Sequence, residues 1–240
     1  MKETAPDLID SRVGQTPWSA AGPLASLLQL RILPRAKHYK FAPSHRRYLP
    51  HLYETGRPIF LTWRLHGSLP LNRSFPNTDG TAGQLFVAMD RLLHRAESGP
   101  VYLNQPEIAD MVVEAIHYNT TELKHYDLHA FVIMPNHVHL LITPRVDLPK
   151  LTRSLKGITA KRANQLRALT GMRFWQDESF DRLVRDEREF VKIRDYIEGN
   201  PVRTGLLKDS ADYRWTSRLT RGSSPLFEEC PEFGVGRERD

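Results

Sequence analysis

A single cysteine, Cys230, in 240 residues excludes an intrachain disulfide and any cysteine-cluster zinc site. Long hydrophobic runs are missing too: nothing approaches the roughly 18 consecutive apolar residues of a membrane-spanning helix. Met1 to Arg12 is polar and the apolar stretch Leu24 to Leu33 is short and interrupted, so neither a signal peptide nor a membrane partner is expected. The expected address is the cytoplasm, with association with the nucleoid. Hydrophobic residues make up 40% and charged residues 26%, a globular balance with enough chain for one core of moderate size or two small ones. Thirty-four Lys and Arg against 28 acids leave a net charge of +6, which suits a polyanionic partner without requiring one.

Residues 1–44 carry repeated prolines (Pro6, Pro17, Pro23, Pro34, Pro43) with little helical or strand periodicity, and read as a partly disordered extension. His45 to His51 adds Arg46 and Arg47 beside Tyr48, a composition that fits either a backbone-contacting arm or a solvated linker. A folded domain is expected over 45–217 and a flexible Gly-, Ser- and charge-rich tail over 218–240. Ile59, Leu61, Trp63 and Leu65 alternate as in a half-buried strand within 58–69. Helices are expected over 82–96, with Leu85, Met89, Leu92 and Leu93 on one side, and over 107–118. Two β-branched runs, 127–134 and 137–143, meet at Pro135-Asn136 as a hairpin. An amphipathic helix over 148–169 follows, started by Asp147, with Leu151, Leu155, Ile158, Leu166 and Leu169 as its stripe. Residues 180–184 read as a short strand. Asp186 and Glu189 resemble a capping box that opens a helix over 187–199, ended by Pro201. The interleaving predicts an α+β fold, a ferredoxin-like (split βαβ) antiparallel sheet with packed helices.

Three signals carry chemistry. His137 and His139 stand two apart on a strand and so present both imidazoles on one face, either as metal ligands or as a hydrogen-bonded structural pair. A two-residue turn would pair Met134 with His137 and Val132 with His139, which places His129 on the other face and discounts it as a ligand. Tyr196 and Asn200 share a helix face beside the core stripe Phe190, Ile193 and Ile197, with Lys192 one turn earlier. Tyr196 can be a nucleophile or an ordinary edge tyrosine. The third signal is the basic face of the long helix: Lys150, Arg153, Lys156, Lys161, Arg162 and Arg167, followed by Trp175 and Gln176. Most of these suit a solvated face, and several are candidates for phosphates.

In combination these segments resemble the REP-associated tyrosine transposases, within the single-tyrosine group of His-hydrophobic-His transposases and nucleases. The resemblance rests on Met134-Pro135-Asn136-His137-Val138-His139, Phe174-Trp175-Gln176-Asp177-Glu178, Phe180-Asp181-Arg182, and Tyr196-Ile197 leading to Asn200-Pro201-Val202. Arg46 to His51 and Thr62 to Pro70 extend it, so that it spans roughly 45–217. It implies that His137, His139 and Asn200 bind Mg²⁺ or Mn²⁺ and that Tyr196 is the nucleophile. Related transposases carry glutamine where this chain has Asn200. The implied partner is single-stranded DNA beside short palindromic hairpins, cut and rejoined through a 5′-phosphotyrosine, by a monomer or a homodimer. Arg46, Arg47, Arg153, Lys156 and Arg162 are candidates to grip the DNA backbone, and Trp175 to stack on a base. Two rival readings differ in what they require. A domesticated hairpin-binding protein would bind without cutting, and a metal-dependent hydrolase of small molecules would need neither Tyr196 nor salt-sensitive DNA affinity.

Overall fold

The computed structural model describes residues 55–69, 82–96 and 99–219. The expected N-terminal extension, with Arg46 and Arg47, lies outside the described residues, as does nearly all of the expected tail. Four strands form the sheet: β1 (Ile59–Leu65), β2 (Tyr126–Ile133), β3 (His137–Pro144) and β4 (Trp175–Leu183). The helices are α1 (Ala82–Arg95), α2 (Pro106–Thr121), α3 (Leu148–Leu166), α4 (Glu187–Glu198) and the single turn α5 (Asn200–Arg203).

Strand order is β2-β3-β1-β4 with every neighbouring pair antiparallel. β1 and β2 therefore run parallel with β3 between them, and β3 and β4 run parallel with β1 between them. These are two interleaved split βαβ units, the expected ferredoxin-like α+β arrangement. Alternation along the strands assigns the two faces. Ile59, Leu61, Trp63, Val138, Leu140 and Ile142 point to one side, where α2 and α3 bury them. Phe60 and Leu141 point to the other, beneath Phe86 of α1 and Phe190, Ile193 and Ile197 of α4. The sheet is thus covered on both faces, and the face that carries His137 and His139 lies beneath α1 and α4.

Local signals account for most boundaries. The Asp186 carboxylate accepts from the Glu189 backbone N–H at 2.8 Å, the expected cap. Glu189 reaches back one residue past the cap, accepting from the Arg185 backbone N–H at 2.9 Å rather than from that of Asp186. Its side chain, 1% exposed, also accepts from Arg182 Nη2 at 2.8 Å and Arg185 Nε at 2.9 Å. Burial alone would raise this carboxyl, but the two guanidiniums outweigh it and hold it below its usual value. Glu189→Ala is expected to lower stability by about 2 kcal/mol in urea unfolding near neutral pH, because it strips two guanidiniums of a charged acceptor. A folded-state value below the unfolded one means that this contribution is complete above about pH 4.5 and is lost as the pH falls below it. The difference between wild type and variant should therefore shrink in acid.

Four expectations need correction. The buried line of α3 is Leu151, Leu155, Thr159 and Ala163, whereas Ile158, Leu166 and Leu169 are exposed. A small alanine and a threonine continue the 3.6-residue line more closely than the larger residues beside them. Asp147 precedes α3 without a side-chain cap and offers only its carbonyl to Lys150 at 2.9 Å. β4 begins at Trp175 rather than near Phe180, since Gln176 to Ser179 are polar residues on an edge strand where pairing with β1 needs no apolar side chain. His129 lies on the same face as the histidine pair, not the opposite one. The expected Val132–His139 pairing holds, but a bulge between Leu128 and Ala130 turns His129 over. There it bonds Thr143 Oγ1 at 2.8 Å and packs its ring edge-on to Phe190.

Candidate functional site

His137 and His139 are fully buried on the face between the sheet, α1 and α4. Their tautomers follow from their partners. Asn136 donates its amide N–H to the Leu93 carbonyl at 3.0 Å, which leaves its Oδ1 to accept from His137 Nδ1 at 2.7 Å. The proton of His137 is therefore on Nδ1 and its Nε2 carries the lone pair. His139 Nδ1 is 2.7 Å from Thr62 Oγ1 on β1, which can take the corresponding proton. The two Nε2 atoms then face each other at 3.1 Å. Two lone pairs at that distance repel unless a proton or a cation lies between them. Fixing the outer ring nitrogen so that the inner one is free is also how proteins orient metal-bound histidines.

Helix α1 brings two residues that the sequence reading overlooked. Asp90 and His94 are four apart, so both point from one face of α1 at the histidine pair. Asp90 Oδ1 lies 3.3 Å from His139 Nε2 and 3.7 Å from His137 Nε2, and Asp90 Oδ2 lies 3.3 Å from His94 Nε2. One ligand atom from each of Asp90, His94, His137 and His139 falls within 4.8 Å of the other three. Ligands around one ion at about 2.1 Å sit roughly 3–4 Å apart, so a modest inward movement makes this a metal cage. Helix α1 reads differently from its expected stripe: Phe86, Asp90 and Leu93 are buried, while Met89 and Leu92 are only half-buried. The available signal was the i, i+4 spacing of a carboxylate and an imidazole on an otherwise apolar face.

From α4, Tyr196 reaches the same place. Its hydroxyl donates to Asp90 Oδ2, and its ring stands 5.8 Å from that of His139. Asn200, at the start of α5, is fully buried beside His94 and Tyr196, yet neither of its amide atoms makes a hydrogen bond. The guanidinium of Arg203 lies 4.3 Å above the Tyr196 ring. Lys192, one turn earlier on α4, is exposed. Tyr196, His137, His139 and Asn200 are thus brought together, with Asp90, His94 and Arg203 added.

Electrostatics follow from burial and this crowding. Burial pushes the Tyr196 phenol well above its ordinary value, and the charge and hydrogen bond of Asp90 push it further, against a smaller opposing effect of Arg203. Burial would also raise Asp90, but His94, His139 and His137 together hold it below the usual carboxylate range. His137 is driven well below the usual imidazole value, by burial first and then by His139. The resting site therefore holds a carboxylate, neutral His137 and a protonated phenol. A cleft of about 250 Å³ opens beside it, lined among others by His94, Arg95, Asn104, His137 and Thr204.

Those described residues that were expected to hold DNA lie elsewhere. Helix α3 packs on the opposite face of the sheet, so its Arg153, Lys156 and Arg162 sit away from Tyr196. Arg153 is exposed, Arg162 pairs with Glu114 at 2.9 Å, and Lys156 donates to the carbonyls of Gln176 and Asp177 at 2.7 and 2.8 Å. Trp175 is corrected outright as a stacking platform. It is 5% exposed, donates its indole N–H to Thr159 Oγ1 at 2.8 Å, and packs edge-to-face on Trp63. As the first residue of β4 it faces the α3 layer, where an indole with a satisfied N–H stabilises the core.

The family model described as "Transposase IS200 like" matches residues 102–200, from the turn before α2 through β3 and α4 to Asn200. Over that stretch the chain is similar to the IS200-like transposases. The resemblance drawn from the sequence holds, and β1 and α1 lie outside the matched stretch. Two solved structures are similar to the chain. One is a REP-associated tyrosine transposase bound to a REP hairpin, 20% identical, with 79% of this chain and 92% of that chain covered and a TM-score of 0.46. The other is a candidate transposase from Deinococcus radiodurans R1, also 20% identical, with 64% and 96% covered and a TM-score of 0.34. No curated protein matches the chain. No helix among the described residues is long and apolar enough to cross a membrane.

Proposed function

We propose that this protein cuts and rejoins single-stranded DNA beside short palindromic hairpins, with Tyr196 as the nucleophile and a divalent metal held by His137, His139 and Asn200. The observation that carries the reading is the convergence of Tyr196 and the histidine pair on the buried carboxylate of Asp90, which is 106 residues from Tyr196 in sequence. The donor set fits a metal: the Nε2 lone pairs of both histidines converge, and the amide of Asn200 is buried beside His94 and Tyr196. Bound there, a divalent ion would withdraw charge from the scissile phosphate and orient it.

The remaining steps belong to the protein. Asp90 accepts the hydrogen bond of the Tyr196 hydroxyl and so aims the phenol oxygen toward the histidines. Arg203 fixes the ring from above and favours the phenolate. As the phenol oxygen bonds to phosphorus, the 3′ oxygen leaves as a hydroxyl and the 5′ end stays on Tyr196. The reverse attack by a 3′-hydroxyl expels the phenolate and reseals a strand, so rejoining needs no external energy.

The test uses an end-labelled single-stranded hairpin from the flank of this protein's own gene, incubated with Mn²⁺ and resolved on a denaturing gel. A covalent adduct that disappears in chelator is the expected result. Retention of the hairpin on a native gel without any adduct or cut would instead support a hairpin-binding protein that has lost catalysis. Loss of affinity with rising salt should accompany either outcome.

A further inference from the structure

We propose that helix α1 supplies two further ligands, Asp90 through Oδ1 and His94 through Nε2, and that the resulting imidazole-rich cage selects a first-row transition ion such as Co²⁺ or Zn²⁺ over Mg²⁺. This rests on the reading that the histidine pair binds metal, and it deepens that reading by naming what closes the site and which ion it takes. Two independent observations support it. The four side chains already cluster within a metal's reach. In addition, both atoms assigned as ligands, Asp90 Oδ1 and His94 Nε2, are among the buried atoms without a hydrogen bond, and each has an ion-pair neighbour at 3.3 Å inside the cluster.

The two oxygens of Asp90 divide the work. Oδ2 holds the Tyr196 hydroxyl, while Oδ1 faces the histidine pair. One carboxylate thus ties the nucleophile to the ion, and α1 fixes the distance between them. With the Asn200 amide, the set is three imidazoles, one amide and one carboxylate, in which nitrogen outnumbers oxygen; Mg²⁺ dehydrates reluctantly and prefers oxygen donors. The same set suits ions that favour nitrogen, with affinity rising from Mn²⁺ to Co²⁺. The cleft beside His94 and His137 provides access from solvent.

Metal-free full-length protein titrated by calorimetry with Mg²⁺, Mn²⁺, Co²⁺ and Zn²⁺, without DNA, tests this. One Co²⁺ per chain is expected, bound at least about 100-fold more tightly than Mg²⁺. His94→Ala and Asp90→Asn should each weaken Co²⁺ binding at least about 100-fold, more than loss of an outer-shell partner does, and change its visible absorption spectrum, a readout of coordination that is independent of cleavage. His94 is partly exposed, so its variant should stay folded, as checked by circular dichroism. If both folded variants bind Co²⁺ as the wild type does, with the same spectrum, α1 is not part of the cage. Equal affinity for Mg²⁺ and Co²⁺ would overturn the selectivity. If the wild type binds no ion at all, the metal-dependent reading of the whole site falls with it.

Discussion

Tyr196→Phe should abolish the covalent DNA adduct and lower strand cleavage by about 10⁴-fold or more, while leaving hairpin binding intact. Removal of a nucleophile from a site whose parts act as a unit typically has effects of that size. The substitution removes only the hydroxyl that donates to Asp90, and the ring keeps its packing against Phe60 and His139. Stability should change by no more than about 1.5 kcal/mol, since one hydrogen bond is lost in an environment where Asp90 still has the imidazoles beside it. A single-turnover cleavage assay with both proteins at matched hairpin occupancy decides the matter. Cleavage that survives in the Phe variant would make water the nucleophile and reduce Tyr196 to a packing residue.

His139→Ala should have the second-largest effect, because one ring serves three purposes. In the proposed site it would offer Nε2 to the ion; it also anchors its Nδ1 on Thr62 and stacks on Phe60 with ring centroids 5.5 Å apart. Metal affinity should fall by at least about 100-fold, beyond what loss of an outer-shell partner does. Cleavage should fall by about 10³-fold, in line with the loss of charge stabilisation at a reacting centre. The fully buried cavity left behind should also lower stability by about 2–4 kcal/mol. His139→Gln keeps most of the volume and separates the two effects. It should recover much of the stability and little of the metal binding. Metal affinity close to wild type in a folded His139→Ala protein would mean that the pair is structural.

The sequence by itself determined the elements and their order. Alternation in Ile59 to Leu65, the Pro-Asn turn between two β-branched runs, and the Asp186 cap are local signals, and each acts within a few residues. The order of those elements was enough for the split βαβ arrangement. The histidine pair was also legible, because a period of two on a strand fixes its shared face without further information. What depended on packing was not. Asp90 and His94 looked like ordinary polar residues of an amphipathic helix, since nothing in α1 says which sheet face it will cover. Only the docking of α1 and α4 onto the same face put them against His137, His139 and Tyr196. Trp175 was misjudged because an indole next to polar residues reads as exposed until the partner of its strand is known. His129 was turned over by a single inserted residue, which no periodicity reveals. Tertiary structure decided these points because a metal cage is a matter of distances of about 3–4 Å between elements far apart in sequence, and local spacing carries no information about them.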